Sequence, residues 1–375
     1  MKILYDHQIF NIQQYGGISR YFSEIINTFH LGTSKYNVTV DFSLRYSDNH
    51  YLTNASFSTH KQFMKNRFFK GLRRHFNKKR SQVNIAHSVN ALRSGQFDIF
   101  HPTYYDTYFL EHIGNKPFVL TIYDMIHELF PGSNHASDKS IERKKELARK
   151  AAKIIAISEN TKIDIMKFYN IGSDKISTVY LGPPTLSESD LNKHVATTPE
   201  RFILFVGNRG GYKNFDTFIS AITPLLSEDK NLYLICAGGG SFSSAELEVF
   251  EKLRVKDKTI QLPVNDDTLA CLYSRALAFV FPSLYEGFGL PILEAFTYGC
   301  PVLLSNSSSF PEVAGKAGIY FEPTEKDSIR SEVGKILYDK DILNDYKLKG
   351  YEQLAKFSWD KTAESTNQVY ASILT

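Results

Sequence analysis

Two carboxylates eight positions apart, Glu286 and Glu294, bracket the stretch Gly-Phe-Gly-Leu-Pro at residues 287–291. The apolar run Ala278–Phe281 ahead of it reads as a buried strand, and the run from Ile292 to Tyr298 reads as a helix. In open α/β sheets ligands collect where a strand gives way to a helix. Gly287 and Gly289 let the backbone approach a ligand closely, and Pro291 suits the first helical position. Exposed N–H groups at a helix start behind a glycine loop form an anion site, here suited to a diphosphate. A carboxylate accepts two hydroxyl donors at once, which is what a ribose or hexose diol offers. Glu286, ahead of the loop, and Glu294, expected in the first helical turn, could therefore grip one ligand from two sides. The plainer alternative makes Glu294 a helix-start acid held by the dipole and Glu286 a surface charge.

A bound diphosphate calls for cations. Arg209 and Lys213 follow the apolar run Phe202–Val206 and Gly207, with Asn208 between, and a solvated basic turn is the competing reading. Gly16 and Gly17 precede a helix-like segment and offer a second amide cluster, or simply a tight turn. Asp124 and His127 follow the strongly apolar run Phe118–Tyr123, where they could face a sugar or an acceptor. The one Asp-x-Asp, at Asp339 and Asp341, sits in a polar helical stretch, and no His, Cys or carboxylate group has metal-ligand spacing. A metal-independent chemistry with no cofactor is the expectation. No nucleophile is paired with a base in the sequence pattern.

Twelve short apolar runs must position these residues. Six fall at Ile3–Tyr5, Val38–Leu44, Asp98–His101, Phe118–Tyr123, Ile154–Ile157 and Ile176–Tyr180. Six more fall at Phe202–Val206, Tyr233–Ala237, Thr259–Leu262, Ala278–Phe281, Pro301–Leu304 and Gly318–Phe321. Runs so continuously apolar imply burial on both faces, as in parallel sheets between helices. The intervening segments have helical spacing; Tyr21, Phe22, Ile25, Ile26 and Phe29 share one face. A shift to Pro, Ser, Thr and charge between Gly182 and Pro199 marks a linker. The chain of 375 residues, 42% hydrophobic, can build two cores. A net charge of +4 is too small to argue for nucleic acid. Cys236, Cys271 and Cys300 sit among apolar neighbours without pairing spacing, so reduced, buried thiols in a cytoplasmic protein are expected. The apolar stretch before Asp6 is too short for a signal-peptide core, and no apolar run is long enough to span a membrane.

The stretch from Pro282 to Ala295, with Gly299-Cys-Pro-Val after it, resembles the E-x7-E signature of retaining glycosyltransferases of family 4. The likeness extends over nearly the whole chain. It includes Gly16-Gly17, Val206-Gly207-Asn208-Arg209 with Lys213, Ala237-Gly238-Gly239-Gly240, Leu269 to Ala276, and Pro311 to Gly315. Asn208 stands where the family usually has its Arg, with Arg209 one place later, and Tyr123 stands where many members carry His. The resemblance implies a GT-B fold: two Rossmann-like, doubly wound α/β domains facing a cleft. An N-terminal acceptor domain would span 1–185, a sugar-nucleotide donor domain 200–357, and the helix over 358–375 would cross back to the first. Glu286 would bind donor hexose hydroxyls and Glu294 the ribose. The backbone of Phe288, Gly289 and Leu290 would hold the diphosphate, with Leu262 and Val264 beside the base. The implied function is retaining transfer of a hexose from a nucleoside diphosphate sugar to a saccharide or lipid-linked saccharide in cell-surface polysaccharide synthesis. The Tyr-Asp-x-x-His segment resembles mannosyltransferase-like members, which favours a GDP-sugar over a UDP-sugar. A hydrolysing sugar-nucleotide epimerase and a non-catalytic sugar-nucleotide-binding scaffold are the alternatives.

One segment lies outside this scheme. Lys61–Arg80 holds nine Lys or Arg and no acid, with Met64, Phe68, Phe69, Leu72 and Phe76 at helix-like spacing. It reads as an interfacial helix for the anionic inner face of a membrane, at about 1 kcal/mol per cation near the surface. A basic face whose aromatics pack on the first domain is the alternative. Salt-sensitive flotation with anionic liposomes separates the two.

Overall fold

The computed structural model describes residues 1–53, 55–61, 73–131, 138–184 and 198–374. Among the described residues twelve strands form, all in parallel pairs: β1 (Lys2–Tyr5), β2 (Thr39–Phe42), β3 (Ile99–His101), β4 (Val119–Ile122), β5 (Lys153–Ala156) and β6 (Ile176–Thr178), then β7 (Arg201–Val206), β8 (Leu232–Ala237), β9 (Thr259–Leu262), β10 (Ala278–Phe281), β11 (Val302–Ser305) and β12 (Gly318–Phe321). Each falls on one of the apolar runs. Most of their residues are buried because helices cover both faces, so period-two alternation is absent there, while the edge strands β2, β6 and β9 are only partly buried. Met64, Phe68, Phe69 and Leu72 of the basic segment, and residues 185–197 of the expected linker, lie outside the described residues, as does the side chain of Phe76. Among the described residues no helix is long and apolar enough to cross a membrane.

The chain divides into two compact units, Met1–Leu181 with Trp359–Thr375, and Gly182–Ser358. In the first, the order β2-β1-β3 and the order β4-β5-β6 make two three-stranded sheets rather than one of six. They meet at a single parallel bridge, Phe100 to Phe118, where Phe100 N donates to Pro117 O at 3.0 Å. The helix Gly17–Leu31 buries Tyr21, Phe22, Ile25, Ile26 and Phe29, the stripe its spacing requires. In the second unit one six-stranded sheet runs β12-β11-β10-β7-β8-β9. This is the doubly wound order, and it reverses between β7 and β10.

The helix Trp359–Leu374 returns to the first unit, and its seam there is strongly polar. Tyr370 Oη lies 2.7 Å from Tyr5 Oη and 2.6 Å from His101 Nδ1, and His101 Nε2 lies 2.9 Å from Thr121 Oγ1. Thr362 Oγ1 donates to Tyr180 O at 2.8 Å. Burial pushes the His101 imidazole down to about 3. The native state therefore keeps His101 neutral, whereas the unfolded chain takes a proton near pH 6.5. Stability from this group is complete above pH 6.5 and is lost as pH falls from there toward 3, by up to about 1.4 kcal/mol per pH unit. Denaturant titrations across that window should show the slope, and His101→Gln should flatten it whatever its stability at pH 7. An unchanged slope would remove His101 from the acid response.

Candidate functional site

The reversal of strand order in the second unit leaves the carboxyl ends of β7 and β10 side by side with their helices on opposite faces. The loop after β7 runs from Gly207 to Asn214, and the loop after β10 from Pro282 to Gly289. Asn214, in left-handed conformation at φ 58°, donates its side-chain amide to Pro282 O at 3.1 Å and to Pro323 O at 2.7 Å. Leu284 N donates to Tyr212 O at 2.8 Å. Thus joined, the loops bring Lys213 Nζ within 2.6 Å of Glu286 Oε1, an ion pair whose side chains are 16% and 14% exposed. Residues 73 positions apart in sequence meet here as the most direct contact between expected site residues.

Gly289 caps the helix Leu290–Thr297 at φ 99°, a backbone that L side chains rarely adopt. A Cβ there would also press on Ile292 and Phe310. Two local expectations shift. The helix opens at Leu290, so Pro291 is its second residue, where a missing N–H is still harmless. Glu294 is then the fifth residue, at the start of the second turn. There it accepts a hydrogen bond from Tyr273 Oη at 3.3 Å instead of resting on the helix start. Tyr273 belongs to the helix Asp266–Arg275, which follows the Leu262–Val264 loop.

The glycine loop is held from below by three consecutive serines that no sequence pattern singled out. Ser307 Oγ donates to Leu284 O at 3.1 Å. Ser308 Oγ donates to Glu286 O at 2.6 Å and accepts from Glu286 N at 3.1 Å. Ser309 Oγ contacts Glu286 O at 3.0 Å and Phe288 O at 2.9 Å. With its carbonyls bound behind it, the loop over Gly287, Phe288 and Gly289 is a preformed cradle.

Arg209 is placed differently from the expectation. It is 8% exposed, and its Nε donates to Glu246 at 2.5 Å. Its Nη atoms reach the carbonyls of Gly238, Gly240 and Ser241 at 3.3, 3.0 and 3.3 Å, and its guanidinium lies 4.8 Å from the Phe242 ring centroid. Burial alone would raise the Glu246 carboxyl, but hydrogen bonds from Arg209 and Ser243 hold it below the usual range. Arg209 therefore braces the Gly238–Gly240 loop, and the cation at Glu286 is Lys213. Gly239 needs to be glycine, since a Cβ would fall 2.4 Å from Gly207 O. Asn208 is exposed beside it. Gly238 N donates to Leu262 O at 2.9 Å, and a Cβ on Gly238 would lie 3.9 Å from Val264. Gly207–Arg209, Gly238–Gly240 and Leu262–Val264 thus form one loop cluster at the carboxyl edge of β7, β8 and β9.

Asp339, of the Asp-x-Asp pair, accepts from Asp341 N and Ile342 N at 3.0 Å and caps a helix. Among the described residues no group of three or more His, Cys, Asp or Glu could hold a metal.

Gly16, Gly17, Asp124 and His127 belong to the other unit. Ser19 N donates to Gln13 Oε1 at 3.0 Å, so the chain's own carboxamide takes one amide of the helix start at Gly17. Asp124 Oδ1 accepts from Ile126 N at 3.1 Å, closing the turn into the short helix that carries His127. Beneath that turn lies a buried network. Lys144 Nζ reaches Glu128 at 2.8 Å and Asp124 O at 3.1 Å, and Tyr169 donates to Glu128. Lys144 was legible in principle, as a cation on the apolar helical face of Leu147 and Ala148.

Comparison with known proteins bears on the family and the fold. The family model for glycosyl transferases group 1 matches residues 187–353, and that for glycosyltransferase family 4 matches residues 15–185. An uncharacterised glycosyltransferase of Methanocaldococcus jannaschii is 30% identical over 298 residues, 73% of this chain and 75% of that protein. The O-antigen chain mannosyltransferase B of Escherichia coli is 30% identical over 295 residues, 75% of this chain and 76% of that one. Among solved structures, Anabaena HepE with UDP and glucose covers 99% of both chains at a TM-score of 0.74 and 15% identity, a likeness of fold.

Proposed function

The chain belongs to the family 4 glycosyltransferases of GT-B fold, and from that premise we propose that it transfers a hexose, with retention, from a nucleoside diphosphate sugar. The acceptor in this reading is a saccharide or lipid-linked saccharide of a cell-surface polysaccharide, with the enzyme acting at or near the inner face of the membrane. The observation that carries the proposal is the Lys213–Glu286 pair across the loops of β7 and β10, beside a glycine-capped helix start.

Chemically, donor cleavage puts negative charge on the departing diphosphate, and catalysis requires positive charge already aimed at it. Lys213 and the backbone amides of Phe288, Gly289 and Leu290 supply that charge without a divalent cation. Lys213 is neutralised by Glu286 in the free site, and an incoming diphosphate shares it. Glu286 then accepts the hexose hydroxyls and Glu294 the ribose diol. The Leu262–Val264 loop sits beside the base. Within the first unit, Asp124 and His127, on the turn that Lys144 braces, are the candidate saccharide contacts, and Gly16 and Gly17 its candidate amide cluster.

GDP is the favoured nucleotide, because relatives at 30% identity are named as mannosyltransferases. Thermal-shift measurements with GDP, UDP, ADP and NAD test the reading. A ligand at a hundred times its Kd stabilises by about 2.7 kcal/mol, which is read as several degrees in Tm. GDP should give the largest shift. UDP in first place would correct the base, and NAD in first place would overturn the function.

A further inference from the structure

The helix start at Gly17 is preceded by an exposed aromatic residue that the donor chemistry does not use. Tyr15 is 54% exposed and its neighbour Ile12 60%, among the most open large apolar residues of the first unit. Tyr15 nevertheless stands in a fixed position. Its ring stacks on His50 at 4.6 Å between centroids and 22° between planes, and Tyr15 Oη lies 3.1 Å from His50 Nδ1. Tyr51 meets both rings edge-on, at 6.2 Å from Tyr15 and 5.6 Å from His50. Arg20 lies over Tyr51, its guanidinium carbon 5.7 Å from the ring centroid.

The platform is assembled from two loops, one after β1 and one after β2, and they are bonded together beneath it. His50 N donates to Gln14 O at 3.0 Å, Asn49 Nδ2 to Gln13 O at 2.7 Å, and Ser47 Oγ to Phe10 O at 3.0 Å. Ser47 and Asn49 are buried, so these bonds exclude water and set the loops rigidly. One face of the Tyr15 ring is covered by His50. More than half of the residue is open to solvent. An exposed aromatic ring held rigidly by a stacked partner suits a ligand that is itself flat and apolar on one side and polar at its edges. A pyranose ring has that character. Its axial C–H bonds form an apolar face, and its hydroxyls stand at the edge.

We propose that Tyr15 and His50 form a saccharide-binding platform that receives a pyranose ring of the acceptor. The inference rests on the glycosyltransferase reading but names residues which that reading leaves unused. Rigid placement before binding means that little conformational entropy is lost when the sugar docks.

Saturation-transfer NMR tests it with four probes: methyl α-mannoside, methyl α-glucoside, methyl α-galactoside and methyl N-acetyl-α-glucosaminide. At least one should receive saturation at its ring C–H protons. Tyr15→Ala should weaken that binding by roughly five- to ten-fold, the loss of one ring stack, while Tyr15→Trp should keep it. No transfer to any probe, or equal transfer with the wild type and Tyr15→Ala, overturns the platform. The GDP-induced thermal shift is read on the same samples. If it persists while saccharide dependence is missing, this inference alone fails; if NAD exceeds every nucleoside diphosphate, the glycosyltransferase reading fails with it.

Discussion

Glu286→Ala is expected to abolish sugar transfer while leaving nucleoside diphosphate binding intact or tighter. The Glu286 carboxylate is 14% exposed and held in place by its pairing with Lys213 and by the serines behind its own backbone. Two charge-assisted hydrogen bonds to sugar hydroxyls are worth about 1.5–3 kcal/mol each. Losing both at the transition state corresponds to roughly 10²- to 10⁴-fold in kcat/KM. The nucleotide should respond in the opposite sense. Without Glu286 the Lys213 ammonium has lost its nearest carboxylate, and a diphosphate meets a more positive site. Lys213→Ala, in contrast, should weaken the nucleotide and the rate together. Calorimetric titration of GDP, alongside donor turnover, separates these patterns. Wild-type turnover by Glu286→Ala would end the sugar-clamp role, and loss of GDP binding in that variant would place Glu286 at the nucleotide.

Lys144→Met should cost the first unit about 3–5 kcal/mol, the usual result of leaving half of a buried ion pair behind. The side chains of Lys144 and Glu128 are 3% and 5% exposed, so solvent does little to relieve a stranded carboxylate. Tyr169 donates to Glu128 but cannot neutralise it. For a unit of this size the loss corresponds to a Tm lower by on the order of 10 °C. The double variant Lys144→Met/Glu128→Leu should recover much of it, because replacing both charges by apolar groups removes the desolvation cost as well. Scanning calorimetry of the two variants decides the matter. A single variant as stable as the wild type would mean that the network carries no stability. Because Lys144 also holds Asp124 O, the rescued double variant should keep its fold yet lose precision in the turn bearing Asp124 and His127.

How far the site was legible differs from residue to residue. Gly287, Gly289 and Pro291 announced a strand, a loop and a helix start, since each acts on the backbone within its own few residues. The helix boundary was misplaced by one residue, which moved Glu294 from the first turn to the second; a left-handed glycine cap and its helix start are settled by packing against Phe310 as much as by local preference. Lys213 and Glu286 were each legible as candidates, but not their mutual contact. Arg209 was misread. A basic residue after a strand and glycine looks the same whether it faces a ligand or braces a loop. Glu246, 37 residues later, decides between the two.

The sequence by itself determined the periodic features of this protein: the places of the strands among the described residues, the amphipathic helices between them and the glycine loop flanked by two acids. Those follow from apolar runs and backbone preferences, which act locally and repeat. Only the tertiary structure decided which loops meet. The sheet order β12-β11-β10-β7-β8-β9 sets the ends of β7 and β10 side by side, and that adjacency pairs Lys213 with Glu286 and leaves Arg209 to the glycines after β8. Strand order depends on the packing of whole helices and sheets, so no window of sequence contains it, and the charge pairings at the loop tips inherit that dependence.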